Sequence, residues 1–159
     1  MNRLFIIFML VFFACSESAE VSVSKLPDSL AGLALHDSVV GAEADKMIRR
    51  MHGKSTGGSS SIGYYGTENR KNVLYLTVFE NQGQAEQSLS KMISKMANTR
   101  FGFTPPASEK IGNNIIYRSQ GMGLSHFFFR RDNLVFWWQA APDNAEASLA
   151  ALLAHNFRK

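Results

Sequence analysis

The chain has one cysteine, Cys15, among 159 residues. It can close no internal disulfide, so the fold must rest on a hydrophobic core alone. Proline is scarce too, with four in all, two of them the adjacent Pro105 and Pro106. No apolar run reaches the roughly 20 residues that a bilayer-spanning helix needs. No His-x-x-x-His, Cys-x-x-Cys or Glu-x-x-His spacing occurs, so no standard zinc site is supported and no cofactor is expected. "GMGLSH", Gly121 to His126, sets a serine beside a histidine but is not Gly-x-Ser-x-Gly. Adjacent strand residues point to opposite faces, so Ser125 and His126 do not form a nucleophile–base pair, and no catalytic residue is assigned. Charge is modest: the net +4 is dispersed over doublets such as Arg49-Arg50, Arg70-Lys71 and Arg130-Arg131. Nucleic-acid binding would call for a basic stripe on one element, and none is present.

What the chain does have is a strong N-terminal signal. Arg3 precedes Leu4 to Ala14, an uninterrupted apolar run. That length fits the h-region of an export signal, about 7–15 residues. Small residues for a general signal peptidase stand at Ala14 and Ser16, or at Ser16 and Ser18. The pair Ala14-Cys15 also resembles the end of a bacterial lipoprotein signal peptide, although Phe12 and Phe13 depart from that pattern. The resemblance implies cleavage before Cys15, lipidation of Cys15 and attachment to a membrane through the lipid. Ser16 at the next position implies an outer membrane as the destination. The expected organisation is a signal peptide over 1–14, a lipidated cysteine and tether over 15–37, and one domain over 38–159. Plain secretion of a soluble chain is the alternative.

Within the domain, Ser38 is placed to cap a helix through Val40, Ala44, Met47, Ile48 and Met51, which share one face. "STGGSSS" reads as a loop. Short strands follow at Ile62 to Tyr65 and Asn72 to Glu80, rich in aromatic and β-branched residues. Asn81 and Gln84 suggest a capping box for a helix carrying Ala85, Leu89, Met92, Ile93 and Met96. The Pro105-Pro106 pair breaks the chain. A strand near Ile115 to Arg118 precedes a hairpin, "LSHFFFRRDNLVFWWQAA", turning at Asp132-Asn133. Asp143 and Glu146 suggest a second capping box, before a helix carrying Leu149, Leu152 and Phe157 inward. The order α-β-β-α-β-β-β-α predicts an α+β two-layer sandwich: an antiparallel sheet of about five strands with its helices on one face.

The hairpin register separates two faces. With a two-residue turn, Phe129 opposes Phe136 and Phe127 opposes Trp138 on one face, which is nearly all apolar. The other face carries His126, Phe128 and Trp137, and alternation along Asn72 to Glu80 adds Tyr75 and Phe79. These five residues are the candidate binding surface. Three occupants compete: the N-terminal segment or a loop, a homodimer or envelope protein partner, or a small apolar or planar ligand. Met47, Met51, Met92 and Met96 stand on apolar stripes and read as core rather than as a soft-metal site. His52 and His155 fall in last helical turns, where an imidazole suits the helix dipole. The sequence therefore points to an exported, lipid-anchored, non-catalytic binding domain on the periplasmic side of a bacterial envelope. A small envelope hydrolase or redox accessory using His126, and a purely structural lipoprotein, are the alternatives.

Overall fold

The computed structural model describes residues 26–53, 56–67, 72–98 and 102–157. The expected signal peptide, Cys15 and the first part of the expected tether lie outside the described residues. The elements in chain order are β1 (Ser29–Leu30), β2 (Leu33–Val40), α1 (Ala42–His52), β3 (Ser59–Tyr65), β4 (Asn72–Val78) and α2 (Gln82–Met96). Then come β5 (Ala107–Ile111), β6 (Asn114–Gly121), β7 (Leu124–Arg131), β8 (Leu134–Ala140) and α3 (Ala145–Ala154). The strands form one eight-stranded sheet in the order β1-β2-β3-β4-β8-β7-β6-β5, every neighbour antiparallel. Two meanders, β1 to β4 and β5 to β8, thus meet at a central seam between β4 and β8.

The expected sheet of about five strands with helices on one face is corrected on both counts. The sheet gains β1, β2 and β5, and its helices lie on both faces. Strand β2 occupies the stretch expected as tether and helix start. Residue Val40 ends that strand, and the helix begins only after Gly41. Gly41 makes this abrupt turn at φ 62°, in the left-handed region that favours glycine. Helix α1 is then supported by Glu43 and Asp45 in its first turn and by Arg49, Arg50 and His52 in its last. Gly53 ends it with φ 75° and donates its N–H to the Arg49 carbonyl at 2.7 Å.

The hairpin register is as the sequence predicts: Arg131 opposes Leu134, Phe129 opposes Phe136 and Phe127 opposes Trp138. Asp132 takes φ 54° to close the turn. The face holding Phe127, Phe129, Phe136 and Trp138 packs against α3 and the segment Leu26 to Leu30. Two polar contacts fix those covers in place. Trp138 Nε1 donates to Ser148 Oγ at 3.0 Å, and the Tyr65 hydroxyl donates to the Pro27 carbonyl at 3.1 Å. Arg131, of the Arg130-Arg131 doublet, donates to the carbonyls of Leu153 and His155, both at 2.8 Å, at the end of α3.

The opposite face packs against α1 and α2. Ala44 and Ile48 of α1 cover Ile62, Tyr64 and Val73, while Ala85, Leu89 and Met96 of α2 cover Phe128 and Val135. Asn81 caps α2, its Oδ1 accepting from Gln84 N–H at 3.0 Å. Gln84 does not complete the expected box; its amide donates to Glu80 at 3.2 Å. At α3 the expected box is absent as well. Asn144 is the cap residue and makes no side-chain cap bond, and Glu146 is drawn away to Arg118, which also holds Glu109.

Candidate functional site

The second face contains all five candidate residues, but not as one open surface. Helix α1 lies over β2 and β3, and α2 lies over β7 and β8. Between the two helices, Tyr75 and Trp137 of the β4–β8 seam remain only half-buried. The seam forms the floor of a groove of about 400 Å³. That is within the range of about 300–1,000 Å³ usual for small-ligand sites. Tyr75, Thr77, Val135 and Trp137 supply the seam's part of the floor, and Phe79 follows at the end of β4. Ile48, Met51 and His52 form the α1 wall; Gln84, Gln87, Ser88, Lys91, Met92 and Lys95 form the α2 wall.

The floor follows from strand register. Tyr75 opposes Trp137 and Thr77 opposes Val135 across the seam. A directly opposed aromatic pair on one face is within stacking reach. Here the Tyr75 and Trp137 rings stack with centroids 4.7 Å apart and planes 26° from parallel. Both side chains are half-buried, and burial raises the Tyr75 hydroxyl above its ordinary value of 10.0, with Tyr64 adding to the rise. The Tyr75 hydroxyl is therefore neutral at physiological pH. Beneath the groove, Thr77 and Ser60 hydroxyls lie 3.2 Å apart and satisfy each other.

His126 and Phe128 are brought close to Trp137 but not into the groove. Both are 0% exposed. Trp137 Nε1 donates to His126 Nδ1 at 3.1 Å, so Nδ1 is the unprotonated nitrogen. His126 Nε2 then carries the proton and donates to the Gly121 carbonyl at 3.1 Å. Phe103 closes over the imidazole edge-on at 4.9 Å, and its own ring lies against the bare Gly121 backbone. Burial pushes the His126 pKa below its ordinary 6.5, against the opposing pull of the Gly121 carbonyl. His126 is therefore a neutral, fully engaged post that sets the plane of the Trp137 indole. It presents no free nitrogen to a substrate.

The groove also contains residues that the sequence did not assign to a site, among them His52, read there only as a partner of the helix dipole. His52, at the end of α1, is half-buried at its mouth, and its pKa is lowered by burial and by the charge of Lys95. Lys91 and Lys95 lie one turn apart on α2. The available signal was the polar stripe Gln84, Ser88, Lys91 and Lys95, which flanks the apolar stripe of α2 at helical spacing. Of the four methionines, Met96 is buried and Met47 and Met92 are partly so, while Met51 is 43% exposed at the groove's rim.

Among the described residues, no three His, Cys, Asp or Glu side chains are grouped to hold a metal ion. Among the same residues, no helix is long and apolar enough to cross a membrane. Searches of protein-family models, curated proteins and solved structures give no match to this chain.

Proposed function

We propose that this chain is an exported, lipid-anchored, non-catalytic domain of the bacterial envelope that binds a small ligand in the groove between α1 and α2. The observation that carries the binding role is the half-buried aromatic pair between the two helices. Two helices pack on either side of it, yet leave a stacked aromatic pair partly open at the floor of a groove of about 400 Å³. A sheet-to-sheet partner is disfavoured, because the chain's own helices occupy that surface. An enzymatic role for His126 is disfavoured by its burial and its two engaged nitrogens. The lipid anchor rests on the leader, with Arg3, the apolar run to Ala14 and the Ala14-Cys15 pair.

Two measurements test this reading. The intact mass of protein extracted from membranes is expected to match a chain beginning at Cys15 plus a diacyl or triacyl adduct; a longer chain or an unmodified Cys15 would reject the anchor. A thermal-shift screen of small envelope metabolites is expected to find ligands that raise the melting temperature of the wild type. Ser88→Trp, which fills the groove without removing core packing, and Trp137→Ala, which removes half the floor, are each expected to abolish the shift. A ligand that binds both variants as well as wild type would place the site elsewhere.

A further inference from the structure

We infer that His126 is an acid latch on the groove: neutral, its imidazole holds Trp137 in the floor, and protonated, it keeps Gly121 but drops Trp137, whose indole swings into the groove and closes it. This inference rests on the groove being the binding site proposed above. It adds to that reading a regulation of the same site by protons.

The latch follows from hydrogen-bond chemistry. An indole N–H donates and never accepts. The 3.1 Å bond from Trp137 Nε1 to His126 Nδ1 therefore exists only while Nδ1 carries no proton. A proton taken from solvent goes to Nδ1, the one ring nitrogen that lacks one. Two N–H groups then face each other, and that bond is lost. The bond from Nε2–H to the Gly121 carbonyl, also 3.1 Å, is strengthened by the same charge. The imidazolium thus stays on β6 and releases β8. Which of its two partners it gives up is fixed by which nitrogen each one faces.

The surroundings favour release over any other response. Facing the imidazole are Ser119 and Gly121 from β6, Gln139 and Trp137 from β8, Phe128 from its own strand and Phe103 from above, all uncharged. The α2 residues buried in the same cluster are apolar. Among the described residues no carboxylate acts on the ring: burial lowers its pKa from 6.5, and only the Gly121 bond opposes that. The freed indole then has one direction open to it. Tyr75 stacks against it at 4.7 Å and Phe128 packs at 5.5 Å, so its faces are taken. The groove, to which Trp137 shows a ring edge, is the remaining space.

The test is an NMR titration of ligand-free, full-chain protein, isotope-labelled at tryptophan, histidine and the methionine methyls, from about pH 7.5 to about pH 5. The Trp137 Nε1–H resonance is expected to move upfield with the midpoint of the His126 ring. Contacts from the indole to the Met51 methyl, on the α1 wall, are expected to appear with it. The open fraction of the groove then falls about tenfold for each pH unit below that midpoint. Trp138 and the far-ultraviolet circular dichroism are expected to stay unchanged. His126→Asn keeps an acceptor but does not titrate, and is expected to hold Trp137 throughout, although His52 at the groove mouth still titrates there. Phe103→Ala uncovers the imidazole and is expected to move both midpoints up together. A Trp137 signal that stays fixed while His126 titrates would overturn the latch. Release without contact to Met51, or release only as Trp138 and the circular dichroism also change, would overturn it too. None of these readouts needs a ligand. Failure of the latch therefore leaves the groove as a site open at every pH, whereas a fruitless screen at pH 7.5 rejects the proposed function and leaves the latch standing.

Discussion

Trp137 and His126 are neighbours across a hairpin whose roles diverge. Both were candidates for direct contact, yet only Trp137 reaches the groove, because His126 sits two residue pairs further along β7 and under Phe103. The sequence puts both on the same face through alternation, and that placement holds. It cannot reveal that a phenylalanine 23 positions earlier folds back over one of them, since that contact depends on long-range pairing of Phe103 and Thr104 with residues 119–121. The buried imidazole has a thermodynamic consequence. In the unfolded chain His126 titrates near 6.5, and in the fold its pKa is lower. Between those two values the unfolded chain binds more protons, so stability is fully present above about pH 6.5 and falls as the pH drops below it. His52, lowered as well, acts with the same sign. Urea denaturation is expected to give a lower unfolding free energy at pH 5.5 than at pH 7.5. The His126→Asn variant is expected to lose less across that interval, whatever its stability at pH 7.5. An equal loss in both proteins would contradict the assignment of a neutral, buried His126.

Helices and hairpins at the level of elements were legible where pattern and turn chemistry coincide. The α2 stripe, its Asn81 cap and the Asp132-Asn133 hairpin all carry strong local signals. The strands that escaped notice are those at the sheet's margins. All five residues of β5 are exposed, so it has no buried face to create an alternating pattern. Strand β2 is an exposed strand whose last residue, Val40, fits the helical stripe of α1 as well as its own strand. Its end is fixed by the positive φ of Gly41, which the sequence announces only as a glycine. The β6–β7 turn shows the reverse case, a residue that disagrees with its geometry. Met122 takes φ 53° and is 71% exposed. A left-handed methionine costs about 1 kcal/mol or more, and the following Gly123 makes this a turn that favours Asn-Gly. Met122→Asn is expected to stabilise the fold by about 0.5–1 kcal/mol, raising the urea midpoint without changing the slope. An unchanged or lowered midpoint would show that the turn is not strained.

Across the whole molecule, the β4–β8 seam joins two meanders that are each local in sequence. Both cores share its strands: Leu74, Leu76, Phe136 and Trp138 face α3, while Val73 and Val135 face α1 and α2 respectively. Neither face can lose its packing without freeing strands that the other needs. Leu76→Ala leaves a cavity on the α3 side and is expected to cost about 2–5 kcal/mol. Because the seam is common, that cost is expected to appear equally in the loss of helix signal and in the loss of side-chain order. Coincident far-ultraviolet and near-ultraviolet transitions in denaturant would bear this out, and separated ones would mean that the faces unfold independently.

The sheet is one residue thick, and the chain's two tryptophans, Trp137 and Trp138, are consecutive along one of its strands. They therefore look out on opposite sides of the molecule. Trp138 is sealed under α3 with its indole nitrogen bound to Ser148, whereas Trp137 is half open beside the groove. The chain thus carries a built-in pair of optical reporters. Replacing Trp138 with Phe leaves emission from the groove alone, and replacing Trp137 with Phe leaves emission from the far core alone. An acrylamide quencher reaches the first and not the second, so occupancy on one side and packing on the other can be followed separately without attaching a dye.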